Sequence, residues 1–495
     1  MNNLVPLLVA IPMGMGFLIP LARRWHERLS DVLSCIALLI TVCISFALVG
    51  REMTCHMGGW PTPIGIDLKV DPLAVLLLLI TNGLALLVGV YSAGPGALPA
   101  SRYQYYSLFM FLVAGTNGVA ISGDLFNLYV FIEITAIASY ALVAFDGQDE
   151  SLEASFKYAV LGGLSSSAIL IGIILLYSVT GTLNLNQLTT RFDGGIGGAP
   201  ARFAIGLFFC GFGLKSGLIP FHTWLPDAYP AAPAPISAIL SGVVSKVAGV
   251  YVLTRLLFNV VGVNEEMLMM MRWMGGLTMV VGGLLALGQW DIKRLFAYSS
   301  ISQVGLIVLA FGFGTMWGVV GALFHLLNHA AFKSLLFLGS GQVERVAGTR
   351  DMREMHDLRE RIPLTATTSL VASLSLAGIP PFNGFWSKLI IVVAGLQSGH
   401  GVWSITIVLM SIVALAYQLK MQKATFSPGK ETQIDLFSSA ESKPFWGEES
   451  PFAAVPMVLL AIGCFGLSML VWPGLDQPYL IGPAAEVLMQ GVVPP

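Results

Sequence analysis

Charged side chains interrupt the long apolar runs of this chain, and their positions indicate chemistry. Glu133 lies in the middle of the run GDLFNLYVFIEITAIASYAL, and no basic residue within one helical turn of it is available as a partner. A charge at the centre of a membrane helix costs roughly 2.5–3.5 kcal/mol. Glu133 is therefore predicted either to carry protons or to form a static ion pair with a residue of another helix.

Three lysines occupy comparable positions. Lys215 comes just before a proline break at Pro220, Lys246 is central in ILSGVVSKVAGVYVL, and Lys388 follows the break in PPFNGFWSKLIIVV. A carboxylate at about 4 Å from an amine is worth about 4 kcal/mol at an effective dielectric constant of 20. A change in the Glu133–Lys215 separation would thus switch Lys215 between holding and releasing a proton. For Lys246 and Lys388, the alternative is an amine that extends to the membrane surface.

Two histidines share a helix face with a further lysine. His325 and His329 are four residues apart, and Lys333 follows one turn later. Such a pair can bind zinc, but the HExxH motif and a third ligand are missing, so no metal is predicted. Imidazole titrates near pH 6.5, which suits a proton relay between lysines; satisfied core histidines are the alternative. Lys333 either joins this relay or anchors its helix at the membrane surface.

His222 and Asp227 follow Pro220 in the segment PFHTWLPDA. They either admit protons from the cytoplasm or cap the broken helix. The segment GFGLKSG lacks the GxGxxG spacing and a preceding βαβ pattern, and the sequence contains neither a P-loop nor a nucleophile elbow. The five cysteines form no CxxC pair. The sequence therefore predicts no cofactor and no catalytic centre beyond proton movement.

The composition places these residues in a membrane protein. Of 495 residues, 26 are Lys or Arg and 28 are Asp or Glu, so only 11% are charged, against about 25% in a soluble domain. The hydrophobic fraction is 55% and the mean hydropathy is +0.78. The net charge of −2 gives no reason to expect a nucleic-acid partner.

The chain is predicted to be an all-α polytopic membrane protein with about 14 transmembrane helices, each needing about 20 apolar residues. The predicted spans are 4–21, 29–50, 72–93, 106–122, 124–145, 156–180, 201–219, 234–258, 273–290, 295–313, 315–340, 364–395, 402–423 and 452–473. The first has no basic segment before it and is predicted to be a span rather than a cleaved signal.

The loops divide unevenly in their basic residues, about 14 on one side and about 5 on the other. This predicts a multi-pass protein of the cell's inner (plasma) membrane with both termini outside. The longest cytoplasmic loops are then 341–363 and 424–451. The first is predicted to be a surface helix or docking patch, or else a solvated loop; the second is predicted to be a flexible connector.

The segment Gly217–Trp224 (GLIPFHTW) is echoed at Gly378–Trp386 (GIPPFNGFW). Each places a Pro/Gly break in an apolar segment beside a lysine. Paired broken helices point to an ion site in a transporter built from repeats, although two short matches also arise by chance.

Five motifs, in order, resemble the antiporter-like family of membrane subunits. This family comprises the large subunits of Mrp-type sodium/proton antiporters, the pumping subunits of respiratory complex I and related subunits of energy-converting hydrogenases. The resemblance covers roughly residues 70–420. The motifs are GDLFNLYVFIEITAIASY, LKSGLIPFHTWLPDAYPAAPAPISAILSGVVSK, DIKRLFAYSSISQVG, FHLLNHAAFKSLLFL and GIPPFNGFWSK.

The resemblance implies a hydrated path at mid-membrane. A glutamate on the fifth helix pairs with a lysine on a broken seventh helix, and the path continues through a lysine on the eighth, histidines on the eleventh and a lysine or glutamate on the broken twelfth. The matching residues are Glu133, Lys215, Lys246, His325, His329 and Lys388.

The resemblance also implies two inverted five-helix repeats. The predicted layout is 1–105 for the N-terminal helices (spans 1–3), 106–258 for the first repeat (spans 4–8), 273–423 for the second (spans 9–13) and 424–495 for a connector and the last span.

The predicted function is that of a proton-translocating subunit in a complex with other membrane subunits, with sodium as the candidate counter-ion. Lys388, the expected absence of a long lateral helix and the expected absence of an extra membrane domain make the chain most similar to the D-type subunit of Mrp antiporters. The main alternative is a pumping subunit of an energy-converting hydrogenase or a complex I-like oxidoreductase. A stand-alone solute carrier and a structural scaffold are the remote alternatives.

Overall fold

The computed structural model describes residues 2–22, 28–60, 62, 64–98, 101–192, 198–427, 450–471 and 480–490. Most of the predicted connector at 424–451 lies outside the described residues, which stop at 427 and resume at 450. Helices make up most of what is described.

The first half of the chain consists of long helices, with one β-hairpin and two short helices between them. Its elements are α1 (Leu7–Ala22), α2 (Leu29–Ala47), β1 (Met53–His56), β2 (Asp67–Val70), α3 (Pro72–Ser92), α4 (Arg102–Ile121), α5 (Leu125–Val143), α6 (Asp149–Thr180), α7 (Leu185–Phe192), α8 (Gly198–Ser216) and α9 (Leu225–Ala231).

In the second half, the secondary-structure elements of the described residues are all helices. Its elements are α10 (Ala234–Val261), α11 (Glu265–Leu287), α12 (Ile292–Phe311), α13 (Met316–Ala347), α14 (Leu358–Arg361), α15 (Pro363–Ala377), α16 (Asn383–Gln397), α17 (Gly401–Phe426), α18 (Pro451–Gly466) and α19 (Ile481–Met489).

Short polar side chains mark where several long helices begin. Asp71, Asp124, Asn264, Asp291 and Thr315 precede α3, α5, α11, α12 and α13, and each side chain accepts a hydrogen bond from a backbone N–H of the first turn. Capping of this kind satisfies donors that a helix start leaves unpaired. The helix starts therefore follow from the sequence itself.

Ten of the described helices are long and apolar enough to cross a membrane. Two shorter apolar helices, Leu7–Leu21 and Pro363–Ala377, accompany them. The chain is thus a helical membrane protein with many spans, as predicted. The exact number of crossings stays a prediction.

The helices form a buried centre and an exposed periphery. Every residue of the most apolar stretch of α10 is buried, and α12 and α13 are nearly as enclosed. Around them, α2, α6 and α17 expose large apolar side chains such as Phe46, Leu164 and Val402. The helices that carry Lys246 and the two histidines therefore lie inside the protein, away from lipid.

The chain leaves the helix at both predicted proline breaks. After α8, Gly217 has φ +74°, and α9 begins at Leu225; after α15, Gly378 has φ +84°, and α16 begins at Asn383. Glycine takes such φ values without a steric cost. Each break contains one cis peptide bond before proline, at Ile219–Pro220 and at Pro380–Pro381. The predicted run 364–395 is accordingly two helices rather than one.

Several elements were not predicted. Strands β1 and β2 pair antiparallel, with Met53 opposite Val70. Helix α7 is short and amphipathic, and one of its faces is buried. Helix α13 continues to Ala347, so the predicted 341–363 loop begins as helix. These elements are too short, or too polar, for a search based on membrane-length apolar runs.

Candidate functional site

Three helices meet at Glu133. Ser166 of α6 donates a hydrogen bond to Oε1 of Glu133 on α5, and Lys215, at the end of α8, donates to Ser166 Oγ over 3.0 Å. Lys215 Nζ lies 3.5 Å from Glu133 Oε1. The partner of Glu133 is thus on another helix, and a serine hydroxyl stands between the two charges.

The two members of this ion pair differ in exposure. The Lys215 side chain is 7% exposed, whereas that of Glu133 is 29% exposed. Removal of Glu133 would leave the enclosed Lys215 amine without a compensating charge. Lys215, being the more enclosed, depends on Glu133 and Ser166 for its charged form.

Lys246 lies at the centre of α10 and is completely buried. Its Nζ donates to the carbonyl of Ser241 and to Ser245 Oγ, the latter over 3.2 Å. It has no acidic partner among the described residues. The lysine lies at the junction of two stretches of π-helix, Leu240–Val244 and Lys246–Tyr251. π-Helical turns are rare and frequently occur at functional sites, and nothing in the sequence predicts them.

The two histidines of α13 have different surroundings. His325 contacts Ser387 Oγ through Nδ1 at 2.9 Å and Gln303 Oε1 through Nε2 at 3.1 Å. Neither ring nitrogen of His329 has a hydrogen-bonding partner among the described residues. His329 lies within electrostatic range of Lys246 and His325. His325 is therefore held in one orientation, while both nitrogens of His329 remain available.

Lys388 on α16 reaches back across the second break. Its Nζ donates to the carbonyls of Leu376 over 2.8 Å and Ala377 over 3.2 Å, which end α15. The last carbonyls of a helix lack partners and carry partial negative charge, so they stabilise a cation. At the first break, the corresponding contact is neutral, because Trp224 Nε1 donates to Leu214 O over 2.8 Å.

Lys333 is completely buried. It donates to the carbonyl of Phe296 and to Ser299 Oγ, and its Nζ lies 5.9 Å from the centre of the Phe296 ring. This burial disfavours the predicted alternative of an amine that extends to the membrane surface. Lys333 also lies within electrostatic range of Lys246.

His222 and Asp227 lie apart from this central line of charges. Asp227 forms ion pairs with Lys157 over 3.1 Å and with Arg294 over 2.9 Å. His222 is in the first break, and its Nδ1 is buried without a partner among the described residues. Asp227 is thus part of a partly exposed ion-pair cluster that joins α6, α9 and α12.

The structure brings the predicted residues into two groups. Glu133 and Lys215 form the first, and Lys246, Lys333, the two histidines and Lys388 form the second, in which electrostatic range also links His325 to Lys388. Between Lys215 and Lys246, no hydrogen bond joins the described residues; Gly249 instead packs closely against Ser216. The two groups touch through backbone packing of α8 on α10.

Three polar contacts of this site were missed from the sequence. Ser166 bridges the ion pair, while Gln303 and Ser387 hold His325. Serine is common in apolar helices, and Ser166 is one of three consecutive serines, so the sequence contains no signal that singles it out.

The fold and this buried line of charges define the class of an antiporter-like membrane protein. The family model described as NADH:quinone oxidoreductase/Mrp antiporter, TM matches residues 122–414. The chain belongs to this family, which confirms the resemblance seen in its motifs.

Relatives that match over most of their length are named either as oxidoreductase subunits or as antiporter subunits. The chain is 34% identical over 431 residues to the N-type subunit of NADH-quinone oxidoreductase from Desulforudis audaxviator, covering 85% of each protein. It is 34% identical over 457 residues to the D-type subunit of the Na(+)/H(+) antiporter from Bacillus subtilis, covering 91% of this chain and 88% of the relative.

Solved structures show the same division. A chain of the membrane-bound sulfane sulfur reductase, an archaeal respiratory membrane complex, superposes with a TM-score of 0.88 at 31% identity. A chain of the Mrp complex from Dietzia sp. superposes with a TM-score of 0.86 at 26% identity. Both matches cover the whole of each chain. The relatives are thus subunits of multi-subunit membrane complexes.

Proposed function

We propose that this chain translocates protons as one membrane subunit of a multi-subunit complex, most like the D-type subunit of an Mrp-type Na+/H+ antiporter. The observation that carries the proposal is the Glu133–Ser166–Lys215 contact beside the first helix break. A carboxylate and an amine joined by a rotatable hydroxyl form a pair whose separation, and hence proton affinity, can change. The Bacillus subtilis relative, named as an antiporter component of the D type, supports the same function.

The proposed path runs through both groups of residues. When Lys215 moves away from Glu133, its amine releases a proton. This proton passes to Lys246 and then along His329 and His325 to Lys388. Fully buried charges that share electrostatic range respond to one another's protonation, and this supports a sequential path. His222 and Asp227 are proposed to support proton uptake from the cytoplasm, and Lys333 is proposed to support the histidine relay.

The proposed architecture has about 14 crossings in the cell's inner membrane, with both termini outside. The inverted repeats would comprise residues 106–258 and 273–423, preceded by N-terminal helices at 1–105 and followed by the connector and last span at 424–495. The similarity of the two breaks supports this layout, because each begins with a glycine at positive φ and each lies next to one of the proposed lysines.

A redox-driven complex is the second candidate. It is favoured by the sulfane sulfur reductase structure and by the relative named as a component of NADH-quinone oxidoreductase. In that case the same residues would move protons, but the driving reaction would occur in other subunits.

Mass spectrometry of the native complex, purified in mild detergent through this chain, distinguishes the two candidates. Small hydrophobic subunits without metal clusters would identify an antiporter. Iron–sulfur or nickel–iron subunits would identify a redox machine.

The proton path is tested by Lys215→Ala and Glu133→Gln in the reconstituted complex. Either change removes one member of the pair, so proton flux should be abolished while assembly survives. The control is Arg191→Ala, which removes an exposed arginine at the end of α7, outside the proposed path, and should leave the flux unchanged. Normal proton flux in either test variant would contradict the proposed mechanism.

A further inference from the structure

One backbone N–H group of the first helix break is bound by a side chain of a distant helix. The N–H of Ile219, four residues after Lys215, donates to Oγ1 of Thr278 over 3.0 Å. Thr278 lies in α11 and is completely buried. Its hydroxyl also donates to the carbonyl of Met274 in its own helix over 2.6 Å. A hydroxyl can accept and donate at the same time, so Thr278 joins α11 to the break.

The preceding part of the break satisfies its own backbone. The N–H of Leu218 donates to the carbonyl of Gly213 over 2.9 Å, a bond that is common where a helix ends in a glycine at positive φ. Ile219 supplies the next N–H along the chain, and its acceptor is Thr278. A backbone N–H without a partner is costly within a membrane. The backbone of the first break therefore depends on a side chain of another helix.

The second break has no donor at the corresponding position. In the two similar segments, Ile219 corresponds to Pro380, and proline has no backbone N–H. The residue before it, Ile379, donates to the carbonyl of Leu374 over 3.0 Å, within its own helix end. Of the two breaks, the one beside Lys215 is therefore the one that needs an acceptor from a neighbouring helix at this position.

We propose that Thr278 is a positioning residue for proton transfer, which holds the end of α8 so that Lys215 stays close to Glu133. The inference rests on the proposed function. Lys215 Nζ and Glu133 Oε1 are only 3.5 Å apart, so a loosened break lengthens this separation more readily than it shortens it. A longer separation weakens the attraction, and Lys215 then releases its proton more easily. Because α11 enters the proposed second repeat, the same contact transmits movements of that repeat to the ion pair.

The test measures proton flux in proteoliposomes of the reconstituted complex over a range of pH. Thr278→Val keeps the shape of the side chain but removes the acceptor. Because Lys215 then loses its proton at lower pH, half-maximal flux should move to lower pH by about half a unit or more. Thr278→Ser keeps the hydroxyl and should keep the original profile.

The matched control is Thr368→Val in α15. Thr368 is buried, and its hydroxyl donates to the carbonyls of Leu364 and Thr365 in its own helix. The control removes the same chemical group, without removing an acceptor for another helix, and should leave the profile unchanged.

A second variant removes the other partner of the contact. Ile219→Pro deletes the N–H itself, as Pro380 does at the second break, so Thr278→Val should have no further effect in that background. A profile that Thr278→Val leaves unchanged overturns the proposal, and so does a further shift in the double variant or a shift that also occurs in Thr278→Ser. The proposed function itself would fail differently, through normal proton flux in Lys215→Ala or Glu133→Gln.

Discussion

A single hydroxyl group stands between the two charges that matter most in this chain. Ser166 accepts from the ammonium of Lys215 and donates to the carboxylate of Glu133, which a hydroxyl can do simultaneously. Two unit charges about 4 Å apart interact by about 4 kcal/mol at an effective dielectric constant of 20. A change in the separation of Lys215 and Glu133 therefore changes the proton affinity of both groups.

The role of Ser166 can be tested by its removal. Ser166→Ala deletes a hydrogen bond to a charged group, worth roughly 1.5–3 kcal/mol, and should lower proton flux in proteoliposomes about tenfold or more. Ser167→Ala is the matched control, because Ser167 is exposed and donates to Gly163 O of its own helix. Unchanged flux in Ser166→Ala would mean that the pair works without the bridge.

Lys388 provides a second test at the scale of one residue. Lys388→Met keeps most of the length of the side chain but removes the charge that the α15 carbonyls stabilise. We expect proton flux to be lost, measured in proteoliposomes with assembly checked by gel filtration. A structural scaffold with static pairs would instead leave ion movement intact.

At the scale of elements, the helix breaks depend on glycine. Gly378 has φ +84°, and an added Cβ would also meet Lys388 Cδ at 3.0 Å. Left-handed backbone costs a residue with a Cβ roughly 1–2 kcal/mol. Gly378→Ala should therefore lower the thermal unfolding midpoint of the purified complex and reduce flux.

Gly463→Ala in α18 is the matched control for this change. Its added Cβ would meet nothing within 4 Å, and alanine is the better helix former. Gly463→Ala should leave the thermal unfolding midpoint unchanged or raise it slightly. An unchanged midpoint in Gly378→Ala would show that the break tolerates a side chain.

The elements also show how far the sequence could predict this structure. Continuous apolar runs predicted the long helices, and isolated charges within them singled out Glu133 and Lys246, because both signals depend only on local hydrophobicity. The contact through Ser166 and the π-turns around Lys246 depend on how separate helices pack, which no local pattern records. The β1–β2 hairpin was missed because its strands have four residues each.

At the scale of the whole molecule, Asp71 and Arg255 join helices far apart in sequence. Their buried ion pair ties the start of α3 to α10. Breaking a buried pair costs about 3–5 kcal/mol, while replacing both members by apolar residues can be nearly neutral. Asp71→Leu and Arg255→Met should each destabilise the complex strongly, and the double variant should recover only part of the loss, because the Asp71 cap of α3 stays missing.

A double-mutant cycle of thermal unfolding measures this coupling. The exposed pair of Asp351 and Arg353 is the control, since an exposed pair contributes about 0–1 kcal/mol. Additive effects of the two Asp71 and Arg255 substitutions would contradict a coupled pair.

The burial of nearly all of α10 has a consequence for biosynthesis. Its 28 residues include about 14 Leu, Ile, Val or Phe, each favouring insertion by about 0.3–0.6 kcal/mol, against Lys246 and Arg255 at up to about 3.5 kcal/mol each. The helix is thus close to the threshold at which the translocon releases a segment into lipid. Helices α12 and α13, which contact it, are synthesised later. Until the ribosome has completed them, the earlier helices or the insertion machinery must keep the charged side chains of α10 out of contact with lipid.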